Sequence, residues 1–324
     1  MSKNSNPIII VAGEPKSVFL ELYFKSFQKF KKNPLILIAN EKLLKDQMKL
    51  LKNNKPLRIL NIKKKTHYSN LNNKKINLIN IPLNYKSLGS LKIKDTNIYI
   101  KRSFDTALEI LKKNKNFNLI NGPIIKKSFL NKKYLGITEY LGSKYNKLDK
   151  VVMLIYNKNF SVSPLTTHIP LKNVFKKISK RMITNHVKQI QKFFIKKLKK
   201  KPSFGVTGLN PHCESNYHSS EENNIIKPAI KMLQKKKFNI SGPFPADTIF
   251  IKENIKKFDV IIGMYHDQVL APIKAIHEFD AINITLGLPF IRISPDHGPN
   301  ISQFGKNKSN AKSLIRSIEF LSKK

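Results

Sequence analysis

Two apolar runs near the end of the chain, each followed directly by polar residues, constrain its fold more than any other feature. The run at 260–264 leads into Tyr-His-Asp-Gln at 265–268, and the run at 282–286 leads towards Arg292 and an Asp-His-Gly segment at 296–298. A buried strand that ends in such residues is typical of the carboxyl edge of an α/β sheet, where these folds bind ligands. One such ending is equally consistent with a turn. Two of them close together favour the wall of an active site.

The chain before this stretch alternates short β-rich runs with amphipathic segments, which is the pattern of a parallel sheet flanked by helices. Strands are predicted at residues 7–11, 34–39, 57–62, 76–81, 118–121, 151–156, 160–166 and 204–207. Helices are predicted at 17–30, 41–51, 95–111, 138–145, 171–199 and 221–236, with a tight loop at 243–247. A chain of 324 residues is long enough for two lobes with a sizeable core. The sequence therefore predicts an α/β protein of two lobes.

Basic residues far outnumber acidic ones, with 61 Lys and Arg against 20 Asp and Glu and a formal charge of +41. A basic face would be the electrostatic footprint of a nucleic-acid-binding protein. Here, however, the lysines are spread through every segment and accompany abundant Asn and Ile, as expected of a genome rich in A and T. We therefore favour compositional drift and predict no dedicated nucleic-acid site. The charge would steer anionic substrates in either case.

Apolar segments are too short for membrane insertion or export. None approaches the roughly 20 residues needed to cross a bilayer, and the first one is shorter than the roughly 7–15 residues of a signal-peptide core. The hydrophobic content of 40% and the mean hydropathy of -0.34 are those of a soluble globular protein. The single Cys213 excludes an internal disulfide, which agrees with a reducing compartment. We expect a cytoplasmic protein without a membrane partner.

Three of the eight histidines share a context, because His168, His212 and His266 each follow a predicted strand. Neutral imidazoles bind zinc and related divalent ions, and three protein ligands leave a coordination position for a substrate. The spacing is not that of a zinc finger, and each histidine taken alone is more typical of a structural residue than of a metal ligand. Together they form a candidate metal site.

Several polar residues of the same region suit an acidic, phosphorylated substrate. Arg292 is the most informative, because Arg binds phosphate or carboxylate with two hydrogen bonds and is scarce beside Lys in this chain. Lys274 and Asn283 precede it in the same stretch. Asp247 and Asp267 are candidates for a general base or for orienting a metal ligand. Asp247 is equally consistent with a helix cap or a turn.

The chain contains a series of longer motifs in a fixed order. They are GEP at 13–15, GP at 122–123 with Lys126, TE at 138–139, THIPL at 167–171, NPH at 210–212, GPFPADT at 242–248, MYHDQ at 264–268 and NITLGLPFIR at 283–292. With these motifs the sequence resembles the 4-hydroxythreonine-4-phosphate dehydrogenases, enzymes of vitamin B6 synthesis, over essentially its whole length.

The resemblance implies a two-lobed α/β/α subunit similar to isocitrate and isopropylmalate dehydrogenases. Such a subunit forms a homodimer and has its active site in the cleft between the lobes. The first lobe is expected to comprise residues 1–125 with about 281–324. The second lobe, residues 126–280 approximately, is expected to carry the metal ligands and the dimer interface.

The resemblance also implies an activity, in which NAD or NADP oxidises the secondary alcohol of 4-phosphooxy-L-threonine. Loss of carbon dioxide then gives 3-amino-2-oxopropyl phosphate. One divalent ion (zinc, with magnesium or cobalt as alternatives) would be held by His168, His212 and His266. The remaining expected roles are substrate binding by Thr138, Lys274, Asn283 and Arg292, catalysis by Asp247, Asp267 and Lys126, and cofactor binding by His297, Gly298 and Asn310.

Some positions depart from the family pattern. Ile137 stands where the family has a histidine that contacts the substrate, and Ile125 stands where it has a histidine before Lys126. Glycine-rich turns after Pro15 and after His212 are also replaced. Two alternatives therefore stay open. One is a sister enzyme for another four-carbon acid, threonate or erythronate 4-phosphate, and the other is a catalytically weakened protein whose basic surface binds polyanions.

Overall fold

The computed structural model describes residues 6–27, 29–30, 33–62, 68–125, 129, 134, 136–147, 150–213, 219–278, 280–295 and 297–323. The chain forms two compact units. The first unit comprises Met1–Lys133 together with Pro289–Lys324, and the second comprises Tyr134–Leu288. No helix within the described ranges has the length and apolar character needed to span a bilayer.

Strands and helices alternate along most of the described chain. In chain order the strands are β1 (Ile8–Val11), β2 (Leu35–Ala39), β3 (Leu57–Ile59), β4 (Ile76–Asn80), β5 (Asn118–Asn121), β6 (Val152–Tyr156), β7 (Ser161–Pro164), β8 (Phe204–Thr207), β9 (Ile240–Phe244), β10 (Val260–Gly263), β11 (Ile282–Leu286) and β12 (Arg292–Pro295). The helices are α1 (Phe19–Phe27), α2 (Glu41–Leu50), α3 (Ile93–Lys113), α4 (Ile137–Lys144), α5 (Val174–Lys177), α6 (Lys180–Phe193), α7 (Lys227–Lys235), α8 (Lys252–Ile255), α9 (His266–His277) and α10 (Lys312–Ser322).

The first unit contains a parallel sheet in the order β3-β4-β2-β1-β5-β12. Its central strands β1 and β2 are almost continuous runs of Ile, Leu and Val, and every residue in them is buried. Such runs are expected where helices cover both faces of a parallel sheet. Helix α3 presents an apolar stripe at helical spacing, which includes the buried Tyr99, Phe104 and Leu111.

The second unit contains a mixed sheet in the order β11-β6-β7-β10-β8-β9. Strand β6 is antiparallel to both of its neighbours, β11 and β7. The strands β7, β10, β8 and β9 are parallel to one another and therefore end at the same edge of the sheet. This edge, which we call the carboxyl edge of the second unit, is followed along the chain by the segments that contain His168, His266, His212 and Asp247.

Strand β11 belongs to the second unit, whereas the expected boundary at about 281 assigns it to the first lobe. The strand pairs with β6, with Ile282 opposite Tyr156 and Leu286 opposite Val152. This pairing keeps the chain in the second unit as far as Leu288. The sequence pattern alone identifies the strand but not the sheet that it joins.

Two local predictions are wrong. The single helix expected at 171–199 is interrupted at Ser179, whose side chain accepts a hydrogen bond from the Met182 amide and caps the start of α6. The tight loop expected at 243–247 overlaps β9, which continues to Phe244 as the last strand in the sheet order. Pro243 is tolerated there because a strand at the sheet edge needs only one set of hydrogen bonds.

His186 of α6 makes the stability of the second unit depend on pH. Burial lowers the pKa of this imidazole to about 4, although a hydrogen bond to the Pro164 carbonyl opposes the shift. In the unfolded chain a histidine has a pKa near 6.5. Between that pH and about 4 the imidazole is protonated in the unfolded state but not in the folded state. The stability contribution is therefore present above pH 6.5 and is lost as the pH falls towards 4.

This linkage gives an expected result for urea unfolding of the metal-free protein. Between pH 6.5 and 5 the free energy of unfolding should fall by about 1.5 kcal/mol through His186 alone. The His186→Gln variant, which keeps a donor for the Pro164 carbonyl but cannot titrate, should lose most of this slope. If the free energy of unfolding of the variant changed with pH as in the original protein, His186 would not be the group responsible.

Candidate functional site

His168 and His266 lie together at the carboxyl edge of the second unit. Their ring centroids are 5.8 Å apart with an interplanar angle of 41°. They follow β7 and β10, which are adjacent and parallel, so the two chain segments leave the sheet side by side. Two of the three histidines predicted to bind metal are therefore neighbours within one chain.

Asp267 orients the ring of His266 at the start of α9. Its Oδ1 atom lies 2.6 Å from His266 Nδ1, while the Asp267 side chain is 83% exposed. A carboxylate can only accept a hydrogen bond, so Nδ1 is the donor in this contact and Nε2 is the nitrogen left for another partner. A carboxylate on one imidazole nitrogen is the usual partner of a histidine that binds metal through the other. This contact agrees with the orienting role considered for Asp267 from the sequence.

His168 is packed against the beginning of α4. A Cβ atom at Gly136 would lie 2.8 Å from Glu139 Oε2 and 3.2 Å from His168 Cε1, so a larger residue there would displace one of these side chains. Glu139 Oε1 accepts a hydrogen bond from Thr167 Oγ1, and its Oε2 is buried without a hydrogen-bond partner among the described residues. The sequence reasoning did not single out Glu139. Its position directly after Thr138 in the TE motif was the available signal.

His212 lies in a short 3-10 turn, Pro211–Cys213, that follows β8. Its side chain is exposed, and both His212 and Cys213 have positive φ angles, 56° and 57°. Among the described residues of a single chain, no three His, Cys, Asp or Glu side chains form a group that could hold a metal ion. The structure of one chain thus brings together His168 and His266 but does not add His212 to them.

Asp247 acts electrostatically on the same turn. Burial raises the pKa of the Cys213 thiol, and the negative charges of Glu222 and Asp247 raise it further. Asp247 is itself exposed, after the end of β9. The predicted catalytic Asp247 therefore lies on the His212 side of the carboxyl edge.

Three of the four residues predicted to bind substrate belong to the second unit. Thr138 in the first turn of α4 contacts Thr285 of β11, with 3.4 Å between their hydroxyl oxygens. Asn283 lies two residues before Thr285 and so projects from the same face of β11. Its Oδ1 is buried without a hydrogen-bond partner in the described part of the chain. Lys274 is exposed in the last turn of α9.

A cavity of about 240 Å³ extends from this set into the second unit. Thr138 and Glu139 line it together with Thr167, which precedes His168, and with the basic side chain of Lys177. The rest of its lining is mainly apolar, with Val151, Met153 and Leu165 among the residues, so the few polar groups stand in an apolar pocket.

Arg292 belongs to the first unit and is 1% exposed, as the first residue of β12. Its Nε donates a hydrogen bond to Asn121 Oδ1 at a distance of 2.6 Å. Because Asn121 is a neutral amide, this contact fixes the guanidinium without neutralising it. A fixed, buried guanidinium is suited to bind a carboxylate or phosphate.

The residues predicted to bind the cofactor also lie in the first unit. His297 is half-buried and stacks on Phe19, with ring centroids 6.0 Å apart, while Gly298 is exposed with no atom near the position of a Cβ. Asn310 accepts a hydrogen bond from the Lys312 amide just before α10. The predicted catalytic Lys126 lies outside the described residues.

Comparison with known proteins identifies the family. The family model described as pyridoxal phosphate biosynthetic protein PdxA matches residues 31–321. The chain belongs to the PdxA family. A 4-hydroxythreonine-4-phosphate dehydrogenase of Sulfurihydrogenibium sp. (strain YO3AOP1) is 34% identical over 318 residues, which cover 96% of each chain.

Solved structures agree with this assignment to the PdxA family. The crystal structure of 4-hydroxythreonine-4-phosphate dehydrogenase from Klebsiella pneumoniae superposes with a TM-score of 0.81 at 26% identity and covers 99% of this chain and 98% of that one. Isocitrate dehydrogenase from Methylococcus capsulatus, with a TM-score of 0.52 at 7% identity and a coverage of 98% and 84%, shares the fold alone. The predicted family and α/β class are confirmed, and so is the prediction of an oxidoreductase of pyridoxal phosphate synthesis.

Proposed function

We propose that this PdxA-family protein oxidises the secondary alcohol of 4-phosphooxy-L-threonine with NAD or NADP, and that the product then loses carbon dioxide to give 3-amino-2-oxopropyl phosphate. The observation that carries the proposal is the His168–His266 pair at the carboxyl edge, with Asp267 on Nδ1 of His266. Relatives that match almost the whole chain have the corresponding name.

The imidazoles at this edge fit a divalent metal ion. His168 and His266 supply neutral nitrogen donors, and zinc prefers such ligands, with magnesium and cobalt as alternatives. When bound, the ion would polarise the substrate oxygen and stabilise negative charge on it. Because one chain does not gather a third ligand among its described residues, we propose that His212 joins the site in a homodimer formed through the second unit.

The other predicted site residues have separate tasks in the proposed reaction. Arg292 and Lys274 would bind the phosphate and carboxylate of the substrate, while Thr138 and Asn283 would hydrogen-bond its polar atoms. Asp247 would accept a proton, and Asp267 would orient the His266 ring through its contact with Nδ1. His297, Gly298 and Asn310 would contact the adenosine half of the cofactor, whose nicotinamide accepts the hydride.

Two further features of the proposal follow from the sequence. We place the reaction in the cytoplasm, in keeping with a chain whose only cysteine, Cys213, is buried and free. The half-buried Ile137 beside Thr138 favours, as a second candidate function, the same chemistry on threonate or erythronate 4-phosphate. An isoleucine cannot form the hydrogen bond to substrate that a histidine would provide there.

A panel of four-carbon acids tests the proposal and separates the two candidates. NADH or NADPH release is measured with 4-phosphooxy-L-threonine, threonate 4-phosphate and erythronate 4-phosphate, each with zinc, magnesium or cobalt. We expect metal-dependent turnover that is highest with 4-phosphooxy-L-threonine. Preference for an acid without the amine would replace the first candidate by the second, and no turnover of any of the three would refute both.

A further inference from the structure

Glu222 is completely buried, whereas the other described acidic residues of the second unit are half-buried or exposed. It begins a π-helical turn, Glu222–Ile226, immediately before α7. Burial raises the pKa of this carboxyl, but hydrogen bonds from Asn210 and Leu209 outweigh burial and lower it. Glu222 is therefore a buried anion in the folded protein, and buried anions are retained only where they are well solvated by hydrogen bonds.

All of these hydrogen bonds come from the turn that carries His212. Glu222 Oε1 accepts from the backbone amides of Leu209 and Asn210, at 2.8 and 2.9 Å. Its Oε2 accepts from the Asn210 side chain at 2.8 Å. The carboxylate thus fixes both the backbone and the side chain of the two residues before Pro211.

The turn closes tightly over this carboxylate. A Cβ atom at Gly208 would lie 2.6 Å from Cys213 Sγ and 3.1 Å from Glu222 Oε1. His212 and Cys213 adopt positive φ angles, which residues other than glycine rarely adopt unless neighbouring groups stabilise them. The hydrogen bonds to Glu222 provide that support on the amino-terminal side of the turn.

Gln268 connects the same turn to the histidine at the neighbouring strand end. Its Nε2 donates to the Gly208 carbonyl at 2.8 Å, and its Oε1 accepts from the Met264 amide at 2.7 Å. Gln268 lies two residues after His266 in α9. The turn after β8 is therefore hydrogen-bonded to Glu222 through residues 209 and 210. Through Gly208 it is also hydrogen-bonded to Gln268, in the segment that carries His266.

We propose that Glu222 is a positioning residue, which sets the conformation of the 208–213 turn so that His212 is presented as a metal ligand. The inference rests on the proposed function, because it assumes that His212 binds the metal. Glu222 itself touches neither substrate nor metal. It acts through the backbone amides of Leu209 and Asn210 and through the Asn210 side chain.

Cobalt binding tests this role without recourse to turnover. Co²⁺ is titrated into the full-length metal-free protein, and its visible absorption reports both affinity and coordination geometry. In Glu222→Gln an NH₂ group replaces one of the carboxylate oxygens that accept hydrogen bonds from the turn. We therefore expect the Kd for Co²⁺ to rise about 10–100-fold, as for other residues that hold a metal ligand in position. The absorption should also change, because His212 is no longer held in place.

Two more variants separate position from charge. Glu221→Gln removes the same charge from the adjacent residue, which accepts a hydrogen bond from the Asn210 side chain, and should change the Kd by less than about threefold. Glu222→Asp keeps the charge but shortens the side chain, and should weaken Co²⁺ binding as Glu222→Gln does. If thermal unfolding shows that Glu222→Gln does not fold, Glu222→Asp provides the test in its place.

The outcomes distinguish this inference from the proposed function. Unaltered Co²⁺ binding by folded Glu222→Gln or Glu222→Asp would overturn the positioning role and leave the proposed function intact. Equal weakening in Glu221→Gln would also overturn it, since charge alone would then be responsible. Failure of the original protein to bind Co²⁺ would overturn both.

Discussion

A His266→Ala variant is expected to lose almost all metal-dependent turnover while keeping its fold. The ring centroids of His266 and His168 are 5.8 Å apart. Asp267 contacts Nδ1 of His266, which leaves Nε2 as the nitrogen that would bind the metal ion. Polarisation of the substrate by a metal ion contributes several kcal/mol, so turnover should fall by about a hundredfold to a thousandfold. Steady-state NADH formation and zinc content of the purified variant are the measurements.

His277→Gln is the matched control for this experiment. His277 ends the helix that His266 begins, and its ring packs against Phe160 at 5.1 Å from centroid to centroid. Replacing it changes the same residue type in the same helix, at the opposite end from His266. Turnover of the control should stay within about twofold of the original protein. Full activity and full zinc content in His266→Ala would exclude this histidine as a ligand.

An Arg292→Met variant is expected to bind substrate far more weakly. Arg292 is buried and its Nε is fixed by Asn121, so binding an anionic group would cost little side-chain entropy. Removing one partner of a buried charge-assisted pair costs about 2–5 kcal/mol, so kcat/KM should fall between about thirtyfold and a few thousandfold. Most of this loss should appear in KM, because the contact exists before the chemical step.

Two other variants make the Arg292 experiment specific. Arg316→Met removes a guanidinium from the same unit, where it is paired with Glu319 on α10, and should leave kcat/KM unchanged. Asn121→Asp keeps Arg292 but places a carboxylate beside it, and should therefore raise KM as well. If Arg292→Met lowered thermal stability without raising KM, Arg292 would be a structural residue only.

The identity of the site residues could be predicted from the sequence better than their arrangement. His168 and His266 were found because each follows an apolar run, and parallel strands end at one edge of the sheet. The order β7-β10-β8, however, does not follow chain order, so the sequence does not show which strand endings are neighbours. His168 and His266 lie together within one chain. His212 lies on a turn with positive φ angles and forms no three-residue group with them among the described residues.

Errors in the helices and strands have equally local causes. The apolar spacing continues through residues 171–199, and it concealed the cap at Ser179 that interrupts the helix. The Gly-Pro pair in the 242–248 motif indicated a loop, but the edge position of β9 accommodates it. In both cases hydrogen bonds made in the folded chain override the pattern of residue types.

Glu139 and Glu222 show what the search for reactive residues overlooked. Neither is a histidine or a strand-end aspartate, and each acts on a neighbouring segment by contact with it. A signal was present, because acidic residues are rare in this chain, with 20 against 61 basic ones. Two adjacent glutamates, Glu221 and Glu222, shortly after the NPH motif were therefore informative.

Restoring zinc to the chelated protein, with bound zinc and NADH formation from 4-phosphooxy-L-threonine measured on the same sample, tests the metal-assisted reaction most directly. We expect no turnover after chelation and a rise in proportion to bound zinc until a single ion per chain is reached. Turnover that survives complete removal of the metal would contradict the proposed role of His168, His212 and His266.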